Sequence, residues 1–138
     1  MPLAKDFYLA GHAIFTVIDV DLQKHSTFKI ARVEFEDRPG EFFFVHLLTG
    51  PDNENDYTYL CKLDPGKGEL RATAKTRAGA ERTDAWMRLQ AAIDLAWGNP
   101  PAVRVVAHHC GKCARCGRML TDPESIERGI GPVCVGLS

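Results

Sequence analysis

From Ala13 to about Lys75 the chain alternates runs rich in Val, Ile, Phe, Tyr and Thr with clusters of turn-forming residues, the signature of consecutive strands. The runs fall at 12–20, 26–36, 41–48, 56–63 and 68–76. Asp37-Arg38-Pro39-Gly40 combines a preset proline φ with a residue that tolerates positive φ, which predicts a tight reversal between the second and third runs. Thr49 to Asn55 and Pro65-Gly66-Lys67-Gly68 play the same role further along. An antiparallel meander of about five strands is expected. Tyr57, Tyr59, Cys61 and Leu63 alternate with Thr58, Leu60 and Lys62, which predicts that Cys61 faces the core as an inert thiol. Phe42-Phe43-Phe44-Val45 shows no alternation and predicts a strand covered on both faces or one at the centre of the sheet. His12, His25 and His46 are isolated in sequence and read as hydrogen-bonded structural residues rather than ligands.

The period then changes. Trp86, Leu89, Ile93, Ala96 and Trp97 recur at spacings of three and four, with Arg88, Gln90 and Asp94 elsewhere, which predicts one amphipathic helix whose tryptophans anchor the core. Thr83 or Asp84 caps its start, and Gly98 followed by Asn99-Pro100-Pro101 ends it. Val103 to His108 reads as a last strand leading into a cysteine-rich tail. The expected fold is α+β: an antiparallel meander with one packed helix over 1–108, then a small zinc-knuckle module over 109–138 packed on that body.

Composition changes this picture little: 138 residues with 45% hydrophobic and 25% charged residues suit one globular domain. The longest apolar stretch, Phe42 to Leu48, is broken by His46 and falls short of the ~20 residues a membrane helix needs. No signal-type apolar run stands near the amino end, so the cytoplasm is the expected compartment. Charge adds an asymmetry. Residues 1–70 hold 7 Lys and Arg against 12 Asp and Glu, whereas 71–138 hold 10 against 6. Arg71, Thr73, Lys75 and Arg77 alternate with small residues and predict a strand with one basic face. Such a row suits a phosphate backbone, and it equally blunts an exposed sheet edge.

The chemistry lies in the tail. Four of five cysteines fall between Cys110 and Cys134, a spacing better suited to metal than to disulfides. Cys113-Ala114-Arg115-Cys116-Gly117 is a C-x2-C-G knuckle, whose tight turn aims two thiolates at one point. Cys134 follows Cys116 by 18 positions, and the helix-forming Asp122 to Arg128 with Gly129, Gly131 and Pro132 behind it predicts the chain's return. The expected ligands of a structural Zn2+ are therefore Cys113, Cys116, Cys134 and His109, with Cys110 or His108 as alternatives for the fourth. Cys110, Cys113 and Cys116 also open an iron–sulfur run, but no cysteine follows at the spacing that a ferredoxin cluster requires. Neither His-x-Glu nor His-Glu-x-x-His occurs, and four protein ligands leave no open position for an activated water. A non-enzyme without a small-molecule substrate is expected.

The stretch Cys113-x-x-Cys116-Gly-Arg118-x-Leu120-Thr-x-Pro123-x-Ser125-Ile-x-x-Gly129-Ile-Gly131-Pro132-x-Cys134 resembles a small, uncharacterised zinc-binding domain of bacteriophage and mobile-element proteins, also appended to some helicase-like ATPases. Ile14-Phe15-Thr16, Leu48 to Asn53 and Asp56 to Leu60 look like the body that precedes it in phage proteins. The resemblance implies zinc, a histidine ligand at His109, and the cytoplasm of a host cell; it implies no reaction. Two functions follow as expectations. One is a nucleic-acid-binding accessory protein whose Lys112, Arg115 and Arg118 near the knuckle, with Arg71, Lys75 and Arg77, touch phosphates. The other is a protein-binding module, such as an anti-CRISPR-like inhibitor of a host defence complex.

Overall fold

The computed structural model describes residues 3–52, 54–117, 119–120 and 128–130. Its elements in chain order are α1 (Lys5–Tyr8), β1 (His12–Asp19), β2 (Lys24–Phe35), β3 (Arg38–Leu48), β4 (Tyr57–Asp64), β5 (Glu69–Arg71), a 3-10 turn at Ala80–Arg82, α2 (Asp84–Trp97) and β6 (Val105–His109). The fold is α+β, as expected. Every strand pairing is antiparallel, in the order β5-β4-β3-β2-β1-β6, so the last strand returns to the free edge of the first.

Local chemistry sets the turns. Asp19 is buried at the end of β1, and its carboxylate accepts the N–H groups of Asp21 (3.0 Å) and Leu22 (2.9 Å), which tightens the β1–β2 reversal. The β2–β3 reversal falls at Glu36-Asp37, ahead of the expected Asp37–Gly40 turn. Gly40 sits instead inside β3 with φ +100°, where Phe35 pairs with Arg38 and Glu34 with Glu41. Pro39-Gly40 thus builds an irregularity in the ladder, the other place where such a pair is tolerated.

The helix follows the expected boundaries. Thr83 Oγ1 accepts the Trp86 N–H at 3.3 Å, and Gly98 closes the carboxyl end with φ +78°. Trp86, Leu89 and Ile93 pack with Phe15, Val17, Phe28, Ile30, Val45 and Leu63 in one buried cluster. Phe7 and Tyr8 of α1 join it through edge-on contacts with Phe15. Arg88, expected off the buried stripe, is instead buried and donates to Ser26 Oγ at 2.9 Å. The residues flanking the stripe reach the sheet too, because α2 spans both of its edges: Gln90 donates to the Gly68 carbonyl (2.9 Å) and accepts from the Leu70 N–H (3.0 Å).

Two strand expectations are corrected and a third is narrowed. In β4, Val45 pairs with Cys61 and His46 with Tyr59, so Leu60 is an extra, bulged residue. The bulge turns Tyr59 to the outer face while Cys61 stays buried, which separates the two residues that strict alternation put together. In β3, Phe43 and Val45 are buried whereas Phe42, Phe44 and His46 are only half-buried on the opposite face, so of the two readings of this run the central strand holds, paired with β2 and β4, and the strand covered on both faces does not. The fifth run shrinks to Glu69–Arg71. Beyond it the Thr73 N–H donates to Thr76 Oγ1 (2.9 Å) and the Thr76 N–H to the Thr73 carbonyl (3.0 Å), a local turn that replaces the ladder. The basic strand face through Arg77 does not form.

Candidate functional site

The tail leaves β6 at His109 and turns at Gly111, whose φ is +85°. Lys112 and Met119 then form an isolated antiparallel bridge, and the Leu120 N–H donates to the Gly111 carbonyl at 3.0 Å. Between them lies the knuckle. The Arg115 N–H points at Cys113 Sγ (3.4 Å), the Gly117 N–H donates to the Cys113 carbonyl (2.9 Å), and Gly117 has φ +79°. A backbone N–H directed at sulfur stabilises the thiolate, the form that binds metal. Cys113 is buried while Cys116 is exposed.

This segment is tied to the body. Ala114 accepts from the His12 N–H at the start of β1 and donates its own N–H to the Gly129 carbonyl (2.8 Å). Cys113, Ala114, Leu120 and Ile130 belong to the same buried cluster as the sheet and helix. Gly129 packs so closely that a Cβ there would lie 2.5 Å from Phe7 and 3.4 Å from the His109 ring.

The three candidates for a fourth ligand point different ways. His109 pairs with Phe15, so its side chain shares the buried, core-facing side of the sheet, next to Phe7 and Gly129. His108 pairs with the half-exposed Thr16 on the opposite face, and Cys110, also exposed, alternates to that side, where it raises the Tyr57 phenol as a secondary influence behind burial. His109 Nδ1 accepts the Gly111 N–H at 2.9 Å. Ligation through either ring nitrogen would exchange that bond, since Nε2 binds metal only when the proton moves to Nδ1.

Among the described residues no three His, Cys, Asp or Glu side chains converge as a metal site. Cys134 and Arg118 lie outside the described residues, as does the segment expected to bring Cys134 back, apart from Arg128 and Gly129. The donors that are described, two thiols and an imidazole, are of types that zinc takes.

The cations expected to meet nucleic acid are dispersed. Arg71 is engaged by Asp64 (3.2 Å) and Glu69 (3.9 Å), and Arg77 is exposed beyond β5. Lys112 is exposed and Arg115 half-buried on the knuckle. Lys75 alone joins a larger feature. It stands on the rim of a groove of about 540 Å³ on the outer face of the sheet, floored by Phe42, Phe44, His46 and Tyr59, with Arg38 and Lys62 also lining it. Burial lowers the His46 imidazole below the usual histidine range and the neighbouring Lys29 adds to this, partly offset by a Phe44 backbone group. None of those floor residues was marked by sequence as a site. They are four residues on two strands, assembled by register, and the unbroken Phe42-Phe43-Phe44 run hides the outer pair behind an inner one.

The described architecture is a six-stranded antiparallel sheet with one main helix and a cysteine-bearing carboxyl segment docked beside β1 and β6. Residues 104–137, β6 and the tail, match a family of unknown function (DUF6011). No curated protein and no solved structure matches the chain.

Proposed function

We propose that the chain is a phage-type, non-enzymatic accessory protein that binds nucleic acid, with a structural zinc ion ordering its tail. The observation that carries the zinc reading is the Cys113–Gly117 knuckle with an N–H directed at Cys113 Sγ. Cys113, Cys116, Cys134 and His109 hold the ion in this reading. His109 is favoured over Cys110 and His108 because it faces Gly129, in the segment that leads to Cys134. Bound zinc supplies folding free energy, on the order of 10 kcal/mol in small zinc modules, and no reactive water. A tail with few apolar residues of its own is then held against β1 and β6, presenting Lys112 and Arg115.

Nucleic acid is favoured as the partner because cations flank both features, the knuckle and the outer groove, and no carboxylate lines the groove. The test is a gel-shift series with labelled single-stranded DNA, single-stranded RNA and duplex DNA at low and raised salt. Salt-sensitive shifts support the reading. No shift at low salt, together with co-purification of a host protein, would refute it in favour of a protein-binding module.

A further inference from the structure

Both described helices pack on one side of the sheet: α1 through Phe7 and Tyr8 against Phe15, and α2 through Leu89 and Ile93 against the same buried face. The other side carries rings that a core would normally cover. Phe42 and Phe44 lie parallel within 7° with centroids 6.3 Å apart, Phe35 meets both edge-on, and Tyr59 closes the row against Phe44 and His46. The groove wall is the Thr73–Thr76 turn, held by a 2.8 Å hydrogen bond between Tyr59 Oη and Thr73 Oγ1.

Charge decides what fits there. Arg38, Lys62 and Lys75 line the groove, and no Asp or Glu does. The Arg38 guanidinium rests 4.5 Å from the Phe35 ring centroid and 5.6 Å from that of Phe42, a cation held directly on the aromatic floor. The site therefore asks for a ligand that is anionic along one side and presents flat π-faces on the other. A second copy of this chain meets that demand poorly, because a two-fold interface would set these cations against their own copies. A duplex buries its base faces in its own stack. A single strand offers both features at once.

We propose that the outer-face groove binds single-stranded nucleic acid, with bases stacked on Phe42, Phe44 and Tyr59 and phosphates met by Arg38, Lys62 and Lys75. This rests on the nucleic-acid reading above and names its site and substrate class. His46, neutral on the floor, leaves the positive charge at the rim, where a backbone would run.

The experiment is fluorescence anisotropy on the full, zinc-loaded chain with a fluorescein-labelled oligothymidylate of about 12 nucleotides, the matched oligouridylate, and a duplex of equal length. Phe42→Leu and Phe44→Leu keep apolar volume while removing ring faces. Lys62→Gln and Lys75→Gln alter charge on exposed or half-exposed side chains and leave the core untouched. Single strands should bind at least about tenfold tighter than duplex, and each Phe→Leu change should weaken them about tenfold. The log–log salt slope should be near −2 for three phosphate contacts and shrink by roughly 0.7 in Lys75→Gln. Ultraviolet cross-links should map to the peptides bearing Phe42, Phe44 or Tyr59.

Binding that survives all four groove changes but is lost in Lys112→Gln or Arg115→Gln would overturn the groove while keeping the nucleic-acid reading. Failure of the wild-type chain to bind any of the three probes at about 50 mM salt would overturn both. A concentration-dependent dimer dispersed by Phe44→Asp would show that a second copy covers this face and would overturn the groove proposal.

Discussion

Cys61 and Cys113 are both buried cysteines in different surroundings. Burial pushes the Cys61 thiol up to about 12, whereas Cys113 Sγ lies 3.4 Å from the Arg115 backbone N–H. Brief alkylation of the native chain read by peptide mass spectrometry should leave Cys61 unmodified. Adding zinc to the metal-free protein should protect Cys113 and Cys116 while Cys110 stays labelled. Protection of Cys110 by zinc along with Cys113 and Cys116 would point to that thiol as the fourth ligand. His46 has a pH signature of its own. Its folded imidazole titrates below the ordinary histidine value, so the unfolded chain binds a proton first as pH falls. Stability should therefore decline from about pH 6.5 downward until the folded ring is itself protonated. Melting temperatures measured across that window should fall less in His46→Gln than in wild type.

At the scale of elements, the junction of α2 with the β4–β5 loop is tightly packed. Gly68 has φ +67°, and a Cβ there would come 2.4 Å from Trp97, whose indole N–H donates to the Pro65 carbonyl at 2.9 Å. Backbone strain and overlap act together, so Gly68→Ala should cost about 2–4 kcal/mol in urea denaturation. Thr83→Ala removes only the α2 cap and should cost about 1 kcal/mol. A Gly68→Ala loss no larger than that of Thr83→Ala would mean that Trp97 yields readily. The elements were legible where periodicity and punctuation agreed. Thr83, Gly98 and the Trp86–Ile93 stripe placed α2 within a residue, and β1, β2 and β4 fell within about two residues of the expected runs. What escaped depends on partners distant in sequence or on very short pieces. The Leu60 bulge exists only relative to β3, the Thr73–Thr76 turn overrides a plausible strand by side-chain hydrogen bonding, and α1 spans four residues, too few to show a helical period.

For the whole molecule, the tail and body share one buried cluster, and Gly129 meets Phe7 across the junction. Gly129→Ala adds a Cβ 2.5 Å from that ring at φ +78°, so it should loosen the docked tail and raise proteolysis after residue 110 without changing the far-ultraviolet signal of the sheet. With zinc bound as proposed, a chelator should act on the same segment first. The cysteine pattern was readable from spacing alone, since C-x2-C-G is a local signal. The groove was not, because its floor comes from two strands brought into register and its charge from Arg38 and Lys62, residues that no motif joins. Elemental analysis of the purified chain beside its His109→Ala and Cys110→Ala variants tests the zinc-ordered tail most directly. The predicted result is zinc near one ion per chain in wild type and in Cys110→Ala, and loss in His109→Ala. Iron in place of zinc, or full zinc retention in His109→Ala, would contradict it.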